Sequence, residues 1–167
     1  QSVCGWSRTA PQSYGVPPMA LAIPDALRDM DDSEIADISE DENMAHDAIR
    51  LMRWPPHGKP VCPHCACDAS YYLASRKRWK CKGCDHQFTV TSGTWMAGTK
   101  LRHSTLLIII WSFAKGEVGT RAVDLQRMLG CEYKTAMVWL GKLRSSAVVS
   151  APVSRDWKGY WQRGRVH

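Results

Sequence analysis

The spacing of hydrophobic residues changes twice along this chain, and the changes divide it into three parts. Between residues 39 and 54 apolar side chains recur every three or four positions, which predicts a helix that Pro55 and Pro56 end. Residues 61–90 contain short β-rich pieces, and residues 104–146 return to helical spacing. The pattern therefore predicts a small α+β fold: an N-terminal helix, a three-stranded β-rich unit and a three-helix module.

Two polar residues predict where the first helix begins. Ser39 and Glu42 have the spacing of a capping box, in which each side chain binds the other's free backbone N–H. We therefore predict a lead helix over residues 39–56. Its apolar stripe is formed by Met44, Ala48, Leu51 and Met52.

The β-rich unit is predicted over residues 57–96. Its aromatic and β-branched residues favour three short strands. These strands are Tyr71–Leu73, Arg78–Lys80 and Gln87–Val90, with a turn over Ser75–Lys77 between the first two.

Three helices are predicted over residues 97–147. Their bounds are Ser104–Lys115, Thr120–Leu129 and Glu132–Ser146. Ser104 and Thr120 are expected to cap the first two helices, which Gly116 and Gly130 end. The run Leu106–Trp111 is apolar on every side, which predicts a buried helix, and it is far too short to span a bilayer.

Charge is distributed unevenly along the 167 residues. Residues 19–50 contain ten acidic and two basic residues, a net charge of −8, whereas residues 51–167 contain nineteen basic and six acidic residues, a net charge of +13. Residues 1–38 are predicted to form a disordered, acidic arm and residues 148–167 a disordered tail, because neither has a clear period. The basic body favours a polyanionic partner, although charge does not choose between DNA, RNA and a membrane surface.

Four of the seven cysteines form two C-x-x-C pairs. Cys62 and Cys65 are followed, after fifteen residues, by Cys81 and Cys84. This spacing is typical of a four-cysteine zinc site, in which each turn directs two sulfurs towards one point. Four thiolates leave no position for water, so the predicted Zn2+ is structural, and Lys80 and Lys82 are expected to offset its net charge of −2. Reduced thiols also indicate a cytoplasmic protein.

Two alternatives remain for these cysteines. They are free or redox-active thiols, or they hold iron in a rubredoxin-like site. Cys67, His64 and His86 lie beside the pairs and are interpreted as bystanders, because four sulfurs already fill a tetrahedral shell.

The last two predicted helices have the outline of a helix-turn-helix, joined by Gly130 and Cys131. The apolar stripe of the third helix comprises Tyr133, Ala136, Met137, Leu140 and Leu143. The opposite face comprises Lys134, Thr135, Val138, Lys142 and Ser145, a set suited to a major groove. Arg121 is placed to meet a phosphate. The alternative is a small helical bundle with a solvated basic face.

The predicted β-hairpin is also basic. Its cations are Arg76, Lys77, Arg78, Lys80 and Lys82, interleaved with Tyr71, Tyr72 and Trp79. This combination suits phosphate contact and base stacking. The alternative is a solvated hairpin in which the rings form a small core.

Several of these motifs occur together in a known family. They are Arg53-Trp54-Pro55, Cys62-Pro63-His64-Cys65, Cys81-x-x-Cys84, the run Phe88–Thr94 and the stretch Leu129–Ala136. In them the chain resembles the insertion-sequence transposases that begin with a zinc ribbon and continue into a DDE-type catalytic domain. The resemblance implies that double-stranded DNA at transposon ends is the partner. It also implies a bacterial, nucleoid-associated protein, and it leaves homo-oligomerisation open.

Two departures from this family bear on function. Ala66 follows the second cysteine where glycine is usual, which predicts a strained turn. After Leu51 there are only six acidic residues, so we predict no catalytic residues and a truncated transposase without strand-transfer activity by itself. Competing functions are a zinc-ribbon interaction or transcription adaptor and an iron electron carrier.

Overall fold

The structure is a computed structural model that describes residues 21–54, 59–116, 121–145 and 148–151. Its helices are α1 (Asp25–Arg28), α2 (Asp32–Glu40), α3 (Glu42–Arg53), α4 (His103–Ala114), α5 (Ala122–Leu129) and α6 (Tyr133–Ser145). Its strands are β1 (Leu21–Pro24), β2 (Ser70–Leu73), β3 (Arg78–Cys81), β4 (Gln87–Phe88) and β5 (Val148–Ala151). The predicted mixed α+β architecture is confirmed.

The N-terminal helices begin earlier than the sequence predicts. Residues 32–38, expected in a disordered arm, are helical because Ile35 and Ile38 give α2 an apolar side that is buried. Asp31 and Glu34 form the capping box of this helix, with the Glu34 N–H donating to Asp31 Oδ1 over 2.8 Å. Residues 1–20 of the predicted arm lie outside the described residues.

The capping box predicted at Ser39 and Glu42 is wrong. Ser39 lies inside α2, where its hydroxyl donates to the carbonyl oxygen of Ile35, four residues earlier. Asp41 separates α2 from α3 and caps α3, since its Oδ1 accepts the Asn43 N–H over 2.8 Å. The predicted single lead helix is therefore two helices, and positions 55 and 56 lie outside the described part.

Glu42 caps a different helix, α4, instead of its own. Its Oε1 accepts the His103 N–H over 2.7 Å, and its Oε2 accepts the Ser104 N–H over 3.2 Å. The predicted cap Ser104 is thus inside the first turn of α4, whose own N-cap residue, Arg102, supplies no side-chain bond. A carboxylate from α3 satisfies N–H groups that have no partner within α4, and so joins the two helices.

The β-rich unit is an antiparallel sheet in the order β2-β3-β4, and it packs on α3. Tyr72 pairs with Trp79 across β2 and β3, and Trp79 also pairs with Phe88 on β4. The buried Trp79 ring stacks on His46 of α3 at a centroid distance of 5.6 Å. The sheet and the N-terminal helices consequently share one hydrophobic core.

Arg53, at the end of α3, fastens the segment that leaves the sheet. Its buried guanidinium donates to the carbonyl oxygens of Val90 and Ser92. Burial lowers the pKa of Arg53 to about 10, so the group stays protonated at neutral pH.

Helices α5 and α6 pack around a second core, to which α4 contributes Ile109. Gly130 joins them with φ +58°, a left-handed conformation that glycine adopts without strain. The predicted apolar stripe of α6 is correct for Ala136, Leu140 and Leu143, which are buried. It is wrong for Tyr133 and Met137, which are exposed because this small core ends before reaching them.

The C-terminal residues differ from the predicted disordered tail in one segment. Val148–Ala151 forms β5, which pairs in parallel with β1. Residues 152–167 and Thr120 lie outside the described residues. Within the described part, no helix combines the length and the apolarity needed to cross a membrane.

We predict that Glu42→Gln destabilises the fold at neutral pH by about 1–3 kcal/mol. Partial burial by itself would raise the pKa of Glu42, but the N–H groups of His103 and Ser104 lower it to about 2. Stability from a depressed carboxyl pKa is complete above the unfolded value near 4.5 and is lost as the pH falls towards 2. Urea unfolding from pH 7 to pH 3 measures this dependence.

Glu40→Gln is the matched control, because Glu40 is exposed at the end of α2. The stability gap between Glu42→Gln and wild type should narrow below about pH 4.5, where the ionised state loses its advantage. A gap of the same size at pH 7 and pH 3 would contradict this role of the carboxylate.

Candidate metal centre

The first cysteine pair lies in a tight backbone turn before β2. The Ala66 N–H donates to the carbonyl oxygen of Cys62, and the Cys62 N–H donates to that of Cys67, both over 2.9 Å. Ala66 has φ +57°, which confirms the left-handed conformation implied by a position where glycine is usual. The turn therefore directs both sulfurs of the pair to one side.

The second pair begins at the last residue of β3. Cys81 Sγ accepts the Gly83 N–H over 3.2 Å, and the Cys81 N–H donates to the carbonyl oxygen of His86 over 3.0 Å. Asp85 follows Cys84 with φ +58°, so the two turns repeat the same backbone geometry. The Lys82 N–H donates to the Ala69 carbonyl oxygen over 2.9 Å, which fixes this turn to the strand entering the sheet.

The two turns bring all four sulfurs together. The Sγ atoms lie within 4.8 Å of one another. Cys62 Sγ is 3.7 Å from Cys84 Sγ, and Cys65 Sγ is 3.5 Å from Cys81 Sγ. Four sulfurs around a tetrahedral ion with bonds of about 2.3 Å lie about 3.8 Å apart. The four cysteines are therefore positioned to bind a metal ion.

Two of the four thiols, Cys62 and Cys65, resist ionisation without a cation. Burial raises the pKa of Cys62, and burial together with the neighbouring sulfurs raises that of Cys65 to about 12. Burial also opposes ionisation of Cys81, but the N–H groups of Gly83 and Cys84 lower its pKa. A metal ion at the centre favours the thiolate at every position, because it supplies the positive charge that the thiols lack.

The segment that contains the four cysteines also matches a known family. Residues 40–87 match the family model of the transposase zinc-ribbon domain. The match, over 48 of the 167 residues, confirms the resemblance to an insertion-sequence transposase at its N-terminal zinc ribbon. No curated protein and no solved structure matches the chain.

The residues interpreted as bystanders lie outside the sulfur cluster of the zinc ribbon. The rings of His64 and His86 stack on each other at 5.5 Å. Cys67 is buried, and its sulfur lies 3.9 Å from the carbonyl oxygen of Ala69. Cys131 lies on the connection between α5 and α6, and Cys4 is not among the described residues.

The two lysines expected to offset the thiolate charge differ from each other. The Lys80 ammonium lies 2.7 Å from the Asp85 carboxylate, so its charge is already paired beside the second turn. Lys82 is exposed.

The hairpin residues proposed for DNA contact are mostly at the surface of the ribbon. Arg76, Lys77, Arg78 and Lys82 are exposed, and Lys80 is half-buried. Tyr71 and Tyr72 are also exposed, whereas Trp79 belongs to the core. The structure thus combines the two interpretations of the aromatic residues: one ring is structural and two are accessible.

The helical candidates also lie at the surface. Arg121, Lys134, Thr135 and Lys142 are exposed. The Lys142 ammonium lies 5.1 Å from the centroid of the Trp139 ring, which holds the lysine stem against α6.

The sequence did not indicate how the ribbon is fixed to the helices. Glu42, His46 and His103 line a cavity of about 280 Å³ between α3, the hairpin and α4. Together with Arg53, they join segments that are far apart in sequence, and spacing along the chain contains no signal for such contacts.

We predict that Cys62→Ser or Cys81→Ser abolishes metal binding and unfolds the ribbon, because three ligands cannot close the site. Elemental analysis measures bound metal, while circular dichroism and limited proteolysis report folding. Cys131→Ser, outside the cluster, is the control and should keep the metal. A wild-type proteolysis pattern in both ligand variants would contradict a structural metal.

We also predict that Ala66→Gly stabilises the metal-bound ribbon by about 1 kcal/mol, since glycine relieves the cost of a positive φ. Thermal unfolding of the metal-bound protein measures the change. Ala74→Gly is the comparison, because Ala74 is exposed and its φ is not positive, so it should lose stability slightly. Equal losses in both variants would show that the turn is unstrained.

Proposed function

We propose that this chain recognises transposon ends as the DNA-binding part of a transposase, and that a structural Zn2+ holds it in shape. One observation supports this most strongly. The four converging sulfurs belong to the same segment that matches a transposase zinc ribbon. The proposal places the protein in a reducing bacterial cytoplasm, associated with the nucleoid.

Zinc is the proposed ion because the site has the features of a closed structural centre. Four thiolates complete a tetrahedron, so no position remains for a water or substrate molecule. The ribbon is also small, and its sheet has only ten residues in strands, which makes an ion a substantial source of its stability.

The hairpin supplies the first proposed DNA surface. Residues 70–82 contain five cations and no acidic residue. Tyr71 pairs with Lys80 and Leu73 pairs with Arg78, so two cations project from one face of the sheet beside an exposed ring. Such a face supports phosphate contact with stacking or sugar contact by the tyrosine.

Helices α5 and α6 supply the second proposed surface as a helix-turn-helix. Their connection is short and contains a left-handed glycine, and the inner side of α6 is buried in the second core. Lys134 and Thr135 then lie exposed in the first turn of α6, the part of a recognition helix that meets base edges. Arg121, immediately before α5, is suited to a phosphate.

We propose recognition without strand transfer for this part of the chain. DDE chemistry needs three carboxylates that converge on two metal ions. Among the described residues, the four cysteines are the group of potential ligands that converges, and no carboxylate takes part.

The test of DNA binding is a salt titration with purified, zinc-loaded protein. We predict that affinity for duplex DNA falls steeply between 50 and 200 mM salt, roughly tenfold or more for several phosphate contacts. Arg76→Gln and Lys134→Gln should each reduce the slope of log affinity against log salt by about one. Fluorescence anisotropy with a labelled duplex measures both quantities.

Lys59→Gln is the matched control, because Lys59 is exposed, is paired with Asp68 at 2.6 Å, and belongs to neither proposed DNA surface. It should bind DNA as the wild type does. Salt-independent affinity, or equal effects of all three substitutions, would contradict the two proposed surfaces. A red, iron-containing protein purified from cells would contradict zinc.

A further inference from the structure

Val138 has the largest exposed fraction among the large hydrophobic residues described, 59%. It lies near the middle of α6, on the side that faces away from the second core. A β-branched residue there gains no burial, and its helix propensity is below that of alanine. Val138 belongs to neither hydrophobic core of the described residues, so packing there does not explain this side chain.

The neighbours of Val138 on the helix surface are two lysines, a threonine (Thr135) and a glycine. Lys134 and Lys142 lie one turn before and one turn after it, each about 40° around the helix. Gly141, three residues after Val138, lies about 60° around the helix on the same side as Lys134, and a Cβ added there would meet nothing within 4 Å. The fold does not require glycine at this position, and its absent side chain leaves Val138 accessible to a close surface.

The positive charges of Lys134 and Lys142 indicate which kind of partner binds the face of α6 around Val138. A second copy of the chain placed on it would bring the lysines of both copies together, whereas a polyanion would neutralise them. Val138 is also the sixth residue of α6, within the two turns that enter a major groove in a helix-turn-helix. Duplex DNA is therefore the occupant that fits, and this step rests on the function proposed above.

Within the major groove one base offers an apolar group to a valine. Thymine presents its C5-methyl, whereas guanine, cytosine and adenine present polar edges. We infer that Val138 contacts the methyl group of a thymine, so that this position of the recognised sequence is specified as an A·T pair. The lysines on either side contact the flanking phosphates or bases.

The experiment begins with a 20-base-pair duplex selected from a random pool by the zinc-loaded full chain. Each thymine is then replaced by uracil, which removes only the methyl group. We expect one or two positions at which uracil weakens binding about three- to fivefold, the value of one buried methyl. Val138→Ala should weaken binding to the thymine duplex similarly and abolish discrimination against uracil at that position.

Met137→Ala is the matched control, because Met137 is 48% exposed on the same helix but about 100° around from Val138. It should retain discrimination against uracil. Circular dichroism should show all variants folded, since alanine favours an exposed helix. Retained uracil discrimination in Val138→Ala would overturn the inference.

The remaining outcomes separate this inference from the proposed function. If no duplex is enriched from the pool, recognition of DNA fails and the inference fails with it. If a duplex is enriched but uracil is tolerated at every thymine, only the thymine contact is overturned. If sedimentation shows that Val138→Ala converts a dimer into a monomer, the face is an interface between copies, which also overturns the contact.

Discussion

The architecture depends on the convergence of two sulfur pairs that lie on separate turns of the chain. Each turn uses a residue with positive φ, Ala66 or Asp85, and backbone N–H groups that face a sulfur. Thiols so close together disfavour negative charge on one another, and the pKa of Cys65 in particular is raised to about 12. A central cation stabilises the thiolates, because its attraction for each of them outweighs the repulsion between them.

The metal centre influences more than the ribbon because the ribbon is joined to the helices by buried contacts. Trp79 stacks on His46, and it meets Trp54 at 5.5 Å with the rings nearly perpendicular. Arg53 binds the carbonyl groups that follow β4. Loss of the ion should consequently loosen the packing of α3 as well as the hairpin, since both contribute to one core.

The sequence was most informative where local spacing determines structure. The C-x-x-C pairs predicted the four cysteines that converge in the structure, and alternation near Tyr72 and Trp79 predicted the first two strands to within a residue at their ends. It was least informative where distant segments compete. Ser39 has the spacing of a cap, yet Asp41 caps α3, and Glu42 instead binds α4 sixty-one residues away. Such competition depends on tertiary packing, which no local motif contains.

The exposed residues of α6 also show that local spacing alone does not determine which side chains are buried. Periodicity assigned Tyr133 and Met137 to the buried side of α6, but burial also depends on how far the opposing surface extends. Of the predicted stripe, Ala136, Leu140 and Leu143 are buried in that core. The sequence identified Val138 as a methyl-bearing residue on the outer face of α6, whereas the extent of its exposure required the structure.

Helix α4 contributes to both hydrophobic cores, which matters for any ligand that contacts both the basic hairpin and α6. Ile110 belongs to the core shared with the ribbon, and its neighbour Ile109 belongs to the core of α5 and α6. Trp95 and Trp139, in contact at 5.7 Å, add a second connection between these cores. Helix α4 and the Trp95–Trp139 contact therefore connect the core beneath the hairpin to the core beneath α6. A DNA duplex that contacts both the hairpin and α6 must therefore match the distance between these two surfaces.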